Sequence, residues 1–225
     1  MRFALALDWV HRILMHRAFS ILALFSAAAF VSAPLMQAQT SASAPVRNSI
    51  TDGFGEKLHL SGIHNFGKVN DHLYRGAQPR SPGLRELKNL GITTIVDLRR
   101  EDAVRSEWEE KRAESLGIRF VHIPVSGWSP PSDEQVAQFL YLFKNRPREV
   151  VFVHCRFGDD RTGVFIASYR IVFDNMPLQK VLKEMYYFGF NGFWHPSMAA
   201  FVKQFPSQLS TVPVLIPFKN LPSSH

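Results

Sequence analysis

From residue 72 onward, short β-branched runs alternate with stretches of helical spacing. "ITTIVDL" (92–98), "IRFVHI" (118–123) and "VVFVH" (150–154) are mostly apolar, which predicts buried strands, the second of them ended by Pro124. "HLYRGAQP" (72–79) predicts a further short strand running into a turn, and residues 45–60 an extended lead-in. In "SPGLRELKNLG" (81–91), Leu84, Leu87 and Leu90 share a helix face, with Ser81 as cap, Pro82 in the first turn and Gly91 as the stop. A second helix is predicted over 106–116, opened by the capping-box pair Ser106 and Glu109. A third opens at Ser132 and Gln135 and carries Val136, Phe139, Leu140 and Phe143 on one side. "RTGVFIASYRIVF" (161–173) is apolar nearly all round, the pattern of a buried central helix. Pro177 opens another helix, with Leu178, Val181, Leu182 and Met185 on one side, and the tail with Pro213, Pro217 and Pro222 reads as irregular. Strands alternating with helices predict one α/β domain, a central, mostly parallel sheet flanked by helices, with its site beyond the carboxyl ends of the strands.

The first 44 residues break this pattern. Arg2, Arg12 and Arg17 precede the uncharged run "AFSILALFSAAAFVSA" (18–33) and the small, polar "QAQTSASAP". A basic flank, a short apolar stretch and small residues predict a secretory signal, with an uncleaved membrane anchor as the alternative. The chain is therefore expected to be exported, with 1–44 as signal or anchor plus linker and 45–225 as the catalytic domain, its core about 60–205. Its 225 residues suffice for one domain with a sizeable core. Of the formal charge of +7, residues 1–44 contribute +2 (three arginines against Asp8), which leaves +5. That excess suits anionic partners, but it is scattered, without a basic run or an interleaved aromatic stripe, so nucleic-acid binding is not read from it.

Cys155 is the one cysteine in the chain, so an internal disulfide is excluded and position decides its role. It lies in "VHCRFGDDRTG" (153–163), between a predicted strand and a predicted buried helix. A loop in that place turns backbone N–H groups inward on an anion, the helix start adds its positive dipole end, and Arg161 offers a planar fork for two phosphate oxygens. A thiolate at the floor of such a nest is placed to attack phosphorus and form a phosphocysteine. Arg156, Phe157, Gly158, Asp159 and Gly163 complete the candidate binding loop, with Gly158 allowing a backbone geometry that other residues resist. Thr162 is the candidate hydrogen-bond partner of the sulfur, and His154 is expected to face inward and brace the loop.

"HCRFGDDRTG" resembles the H-C-x5-R-[ST] signature of the cysteine-dependent phosphatases, the protein tyrosine and dual-specificity superfamily. "LYRGAQP" (73–79), "GITTIVDLR" (91–99) and the helix from 161 look like the matching parts of its compact dual-specificity branch. Given Cys155, the four matching residue types at their offsets arise by chance on the order of once in ten thousand. The resemblance covers roughly 60–190 and implies a dual-specificity-phosphatase-like fold and a phosphatase that needs no cofactor. It also implies a substrate that is a phosphorylated protein, phosphoinositide or inositol phosphate. Arg75 matches an arginine that buttresses the site in this family.

The match is incomplete at the general acid. Relatives commonly supply an aspartate from the loop after the strand at 118–123, yet no carboxylate lies between Pro124 and Pro131. Asp160, just before Arg161, occupies a position that a subset of the superfamily uses as the acid, and it is the preferred donor; Asp133 is the alternative. Asp159 is read as a solvated surface acid, with Arg156, Arg99 or Arg100 as possible partners. Arg99 and Arg100 are also candidates for a second substrate phosphate, and Trp128 for a wall of the cleft. His59, His64, His122 and His195 show no ligand spacing, so no metal is expected. A rhodanese-like sulfurtransferase and an inactive phosphate-binding module remain the competing readings, and the protein is expected to be a monomer, with peripheral or anchored membrane association left open.

Overall fold

In the computed structural model, residues 53–146 and 148–221 are described. The signal or anchor expectation (1–44) and Pro222 lie outside them. Among the described residues, no helix is long and apolar enough to cross a membrane.

Six strands form one sheet in the order β1-β2-β3-β6-β4-β5. β3 (Leu73–Ala77), β6 (Val151–Cys155), β4 (Thr94–Arg99) and β5 (Arg119–Val125) run parallel. β1 (Glu56–Lys57) and β2 (Gly67–Asn70) add an antiparallel edge that the local pattern did not reveal. The register pairs Ala77 with Cys155 and Arg99 with Val125, so the parallel strands end along one rim. Pro124 does not end its strand. β5 runs one residue further, with Pro124 exposed and Val125 buried.

The two-residue period of β6 sorts its side chains between two cores. Val151, Val153 and Cys155 face the larger one, shared with α3 (Asp133–Asn145), α4 (Asp160–Val172), α5 (Leu178–Tyr187) and α6 (Pro196–Thr211). Phe152 faces the smaller one, with Leu84 and Leu87 of α1 (Ser81–Asn89) and Ala113 of α2 (Ala103–Ser115). All five residues of β6 are buried, as a central strand covered on both faces requires. α4 is buried almost throughout, as its continuous apolar run implies.

Three helix signals read differently in the structure. Arg80, not Ser81, is the N-cap of α1, with Ser81 and Pro82 as its first two residues. α2 begins three residues before the predicted start and is capped by Asp102, whose side chain accepts from Arg105 N–H. Ser106 and Glu109, the predicted capping box, instead point into the sheet and hold buried ions. The box at Ser132 and Gln135 is present in full. α6 has no counterpart in the predicted pattern, and the tail beyond it forms a short 3-10 turn, Ile216–Phe218.

Candidate active site

Cys155 ends β6 with its sulfur accepting a hydrogen bond from Gly158 N–H at 3.3 Å. The Gly158 carbonyl accepts from Arg75 Nη2 at 2.8 Å and from Asn65 Nδ2 at 3.1 Å, so both faces of this peptide region are pinned. Gly158 has φ +75°, and a Cβ there would lie 2.3 Å from the Gly76 carbonyl carbon in β3. Backbone sign and close approach each require glycine. Gly158→Ala is expected to lose about 2–3 kcal/mol of stability and most activity, read as a lower urea midpoint at unchanged m-value. Gly91→Ala, also at positive φ but facing open space, serves as the control for conformation alone.

Arg75 is fully buried at the back of the loop, its guanidinium 4.0 Å from the Phe188 ring centre. Burial pulls its pKa down to about 10, against the favourable pull of Glu184 and the Cys155 sulfur. His154, on the opposite face of β6 from Cys155, sits in a sealed ion cluster. Its Nε2 lies 2.8 Å from Glu109 Oε1, Arg99 bonds both Asp97 oxygens and Glu109 Oε2, and Ser106 Oγ donates to Asp97. Burial works against the His154 cation, but Glu109 and Asp97 prevail and its pKa is raised. Arg99 is thus a structural ion, not a substrate contact, which corrects the expectation. Asp97, Glu109 and His154 could each turn one ligand atom to a common metal, but the Arg99 guanidinium already bonds both carboxylates.

On the Cys155 side, a cavity of about 350 Å3 gathers residues from the ends of three parallel strands. Arg100 and Glu101 follow β4, Ser126 to Trp128 follow β5, and Arg156, Phe157, Asp159, Asp160 and Arg161 follow β6. Trp128, 72% exposed, forms the wall expected of it. Arg161 is held by Glu101, with Nη1 and Nη2 each bonded to one carboxylate oxygen at 2.7 and 2.8 Å, and Nη1 also donating to Val125 O at 3.2 Å. Those bonds use both Nη1 protons and one of Nη2. The remaining Nη2–H and Nε–H are the parallel pair on one edge of the guanidinium, the fork that fits two phosphate oxygens. The Arg161 hydrogen bonds are the main reason that the Glu101 pKa falls to about 2.

Asp159 is not a solvated surface acid. It caps α4, its Oδ1 accepting from Asp160 N–H at 2.8 Å and lying 3.9 Å from the Cys155 sulfur. Asp160 turns into the same cavity, clasped by the turn ahead of α6. Its Oδ1 accepts from Asn191 N–H at 2.9 Å, and its Oδ2 lies 3.2 Å from His195 Nε2. The His195 ring lies 5.4 Å from Trp128. Burial pushes the Asp160 pKa up and Asp159 adds to this, while Asn191 N–H and His195 oppose it. Asp133, the alternative acid, is the first residue of α3 and is absent from the wall of this cavity.

Thr162 is fully buried with its hydroxyl unpaired, and no hydrogen bond joins it to the sulfur. Gly163 lies inside α4 beside Met185, not on the cavity wall. Glu101, Asn65, Asn191 and His195 were not among the expected site residues. Glu101 carried a usable signal, as an acid just past a parallel strand's carboxyl end. The other three carried none.

A family profile described as a DSP-PTPase phosphatase fused to NAD+ kinase matches residues 62–194. The dual specificity protein phosphatase TpbA of Pseudomonas aeruginosa is 29% identical over 127 residues, 56% of this chain and 55% of the relative. The chain spans about half the length of the curated relatives it matches. The crystal structure of a cysteine-to-serine variant of P. aeruginosa TpbA in complex with phosphotyrosine (TM-score 0.61, 22% identity, 77% of this chain and 100% of that one) shares the fold. So does the catalytic core of the PP-IP phosphatase Siw14 of S. cerevisiae with citrate (TM-score 0.59, 19% identity, 72% and 99%).

Proposed function

The chain belongs to the DSP-PTPase family of phosphatases, and from that premise we propose that it hydrolyses phosphate monoesters through a phosphocysteine intermediate. The observation that carries this reading is the free Nε–H and Nη2–H edge of Arg161 on the same cavity as the Cys155 sulfur. Glu101 and Val125 O immobilise the other side of the guanidinium, so the fork is oriented before an anion arrives.

In the first step, the Cys155 thiolate attacks phosphorus, the S–P bond forms, and the bond to the leaving oxygen breaks. That oxygen takes the proton of the Asp160 carboxyl. In the second step, water attacks phosphorus, Asp160 takes a proton from it, and the S–P bond breaks to release phosphate and restore the thiolate. Arg161 holds two equatorial oxygens through both steps, and Gly158 N–H supports the sulfur when it leaves. Asn191 and His195 are positioning residues: they act on the reaction through Asp160. Arg75 and Asn65 position the loop through the Gly158 carbonyl.

The test combines turnover and labelling. Purified protein is expected to hydrolyse p-nitrophenyl phosphate, and iodoacetate is expected to inactivate it faster than it alkylates free cysteine at neutral pH, with vanadate protecting. Alkylation at the free-cysteine rate without vanadate protection overturns the reading. Thiosulfate turnover without phosphate release would assign the thiol to sulfur transfer instead.

A further inference from the structure

A second cavity, of about 300 Å3, adjoins the one that holds Cys155, and Arg156 and Phe157 line both. The Arg156 guanidinium lies 5.1 Å from the Phe157 ring centre, so the two side chains form the partition. On its far side stand Arg80, from the turn between β3 and α1, Arg105, from the first turn of α2, and His64. Backbone bonds brace this wall: Gln78 N–H donates to Arg156 O, Ala77 N–H to His64 O, and Arg80 N–H to Gly62 O.

The charges are distributed unevenly between the two cavities. Glu101, Asp159 and Asp160 all lie in the first, and no carboxylate lines the second. Among the described residues, no ion pair engages Arg80, Arg105 or Arg156. Asp102, three residues before Arg105, accepts from the Arg105 backbone N–H and borders a different cavity with it, and Glu107, two residues after, pairs with Lys111. Three guanidinium groups around one concavity, without counter-charge, concentrate anions there and offer planar forks suited to phosphate.

We propose that this second cavity is a subsite for another phosphate group of the substrate, and that the preferred substrate is a compact ring phosphorylated at more than one position. The proposal rests on the reading of the Cys155 cavity as the site of the scissile phosphate. The shared partition decides the compactness. A second phosphate needs to cross only Arg156 and Phe157, which a small ring spans, and with every carboxylate in the first cavity and none in the second a polyanion is drawn toward Arg80 and Arg105.

Binding to the full chain carrying Cys155→Ser tests this apart from turnover. Inositol hexakisphosphate is expected to bind about a hundredfold more tightly than inositol monophosphate, well beyond the statistical gain of its extra groups. The gap is expected to shrink as salt rises and to fall to about tenfold or less with Arg80→Ala and Arg105→Ala together. Both arginines are exposed, and circular dichroism verifies that the double variant folds. A gap of about tenfold or less before the arginines are removed, or one that survives their removal, overturns the subsite. Tighter binding of a doubly phosphorylated peptide than of the ring overturns the compact-ring assignment. Loss of hydrolysis in the wild-type chain with this gap intact would count against the catalytic reading alone.

Discussion

Replacing Cys155 with serine is expected to lower p-nitrophenyl phosphate turnover by about ten-thousandfold or more, with fold and inorganic phosphate binding retained. The side chains differ by one atom, Gly158 N–H can donate to either, and the Arg161 fork does not depend on the sulfur. What serine lacks is a route to the anion. Its hydroxyl needs a general base, and His154, the histidine beside it in sequence, points through the sheet to Glu109. Among the described residues, no histidine hydrogen-bonds to the position 155 side chain, and His195 is engaged with Asp160. Rapid-quench mass spectrometry with the wild-type chain should reveal phosphate on the peptide containing Cys155, and that signal should vanish in the serine variant. A serine variant that keeps a tenth of the activity would remove sulfur from the mechanism.

The second large effect depends on the leaving group. Asp160→Asn is expected to slow hydrolysis of an alkyl phosphate by about a hundred- to a thousandfold, and to change that of an aryl phosphate with an acidic leaving group far less. Asparagine preserves size and the bond from Asn191 N–H, so the difference isolates the proton. The pH dependence has a definite sign. Burial raises the Asp160 pKa, with Asn191 N–H opposing, Asp159 adding and His195 opposing. Only the protonated acid donates, so alkyl phosphate turnover should fall as pH rises through that raised value. His195→Gln removes an influence that lowers it, and the falling limb should move to higher pH. An equal loss on both substrates in Asp160→Asn, or an unmoved limb in His195→Gln, would exclude the Asp160–His195 pair as the proton source.

Much of the fold was legible because its signals are local. β4, β5 and β6 are short β-branched runs, and α4 announces itself by being apolar all round, since a central helix has no face left for water. The edge strands β1 and β2, two and four residues long, are too short for any period to register. α6 begins at Pro196 and contains Pro206, which reads as punctuation although the helix continues through it. Ser106 and Glu109 match a capping box at the level of residue types. Only the sheet beneath them, with Asp97, Arg99 and His154 needing partners, shows that they serve the interior.

The candidate site divides in the same way. The cysteine, the glycine at positive φ, the arginine and the aspartate before it lie within seven consecutive residues, and a strand–loop–helix turn needs nothing distant to be recognised. The sequence by itself therefore determined the nucleophile loop, the α/β class and the strand ends that carry the chemistry. What only the tertiary structure decided is how that loop is held and loaded: Glu101 on Arg161, Asn65 and Arg75 on the Gly158 carbonyl, His195 on Asp160, and Arg80 and Arg105 beside Arg156. These partners lie tens of residues apart along the chain, and most are ordinary polar residues in loops. Hydrogen bonds and ion pairs act over a few ångströms of space, and no spacing along a sequence records which residues the sheet will bring within that reach.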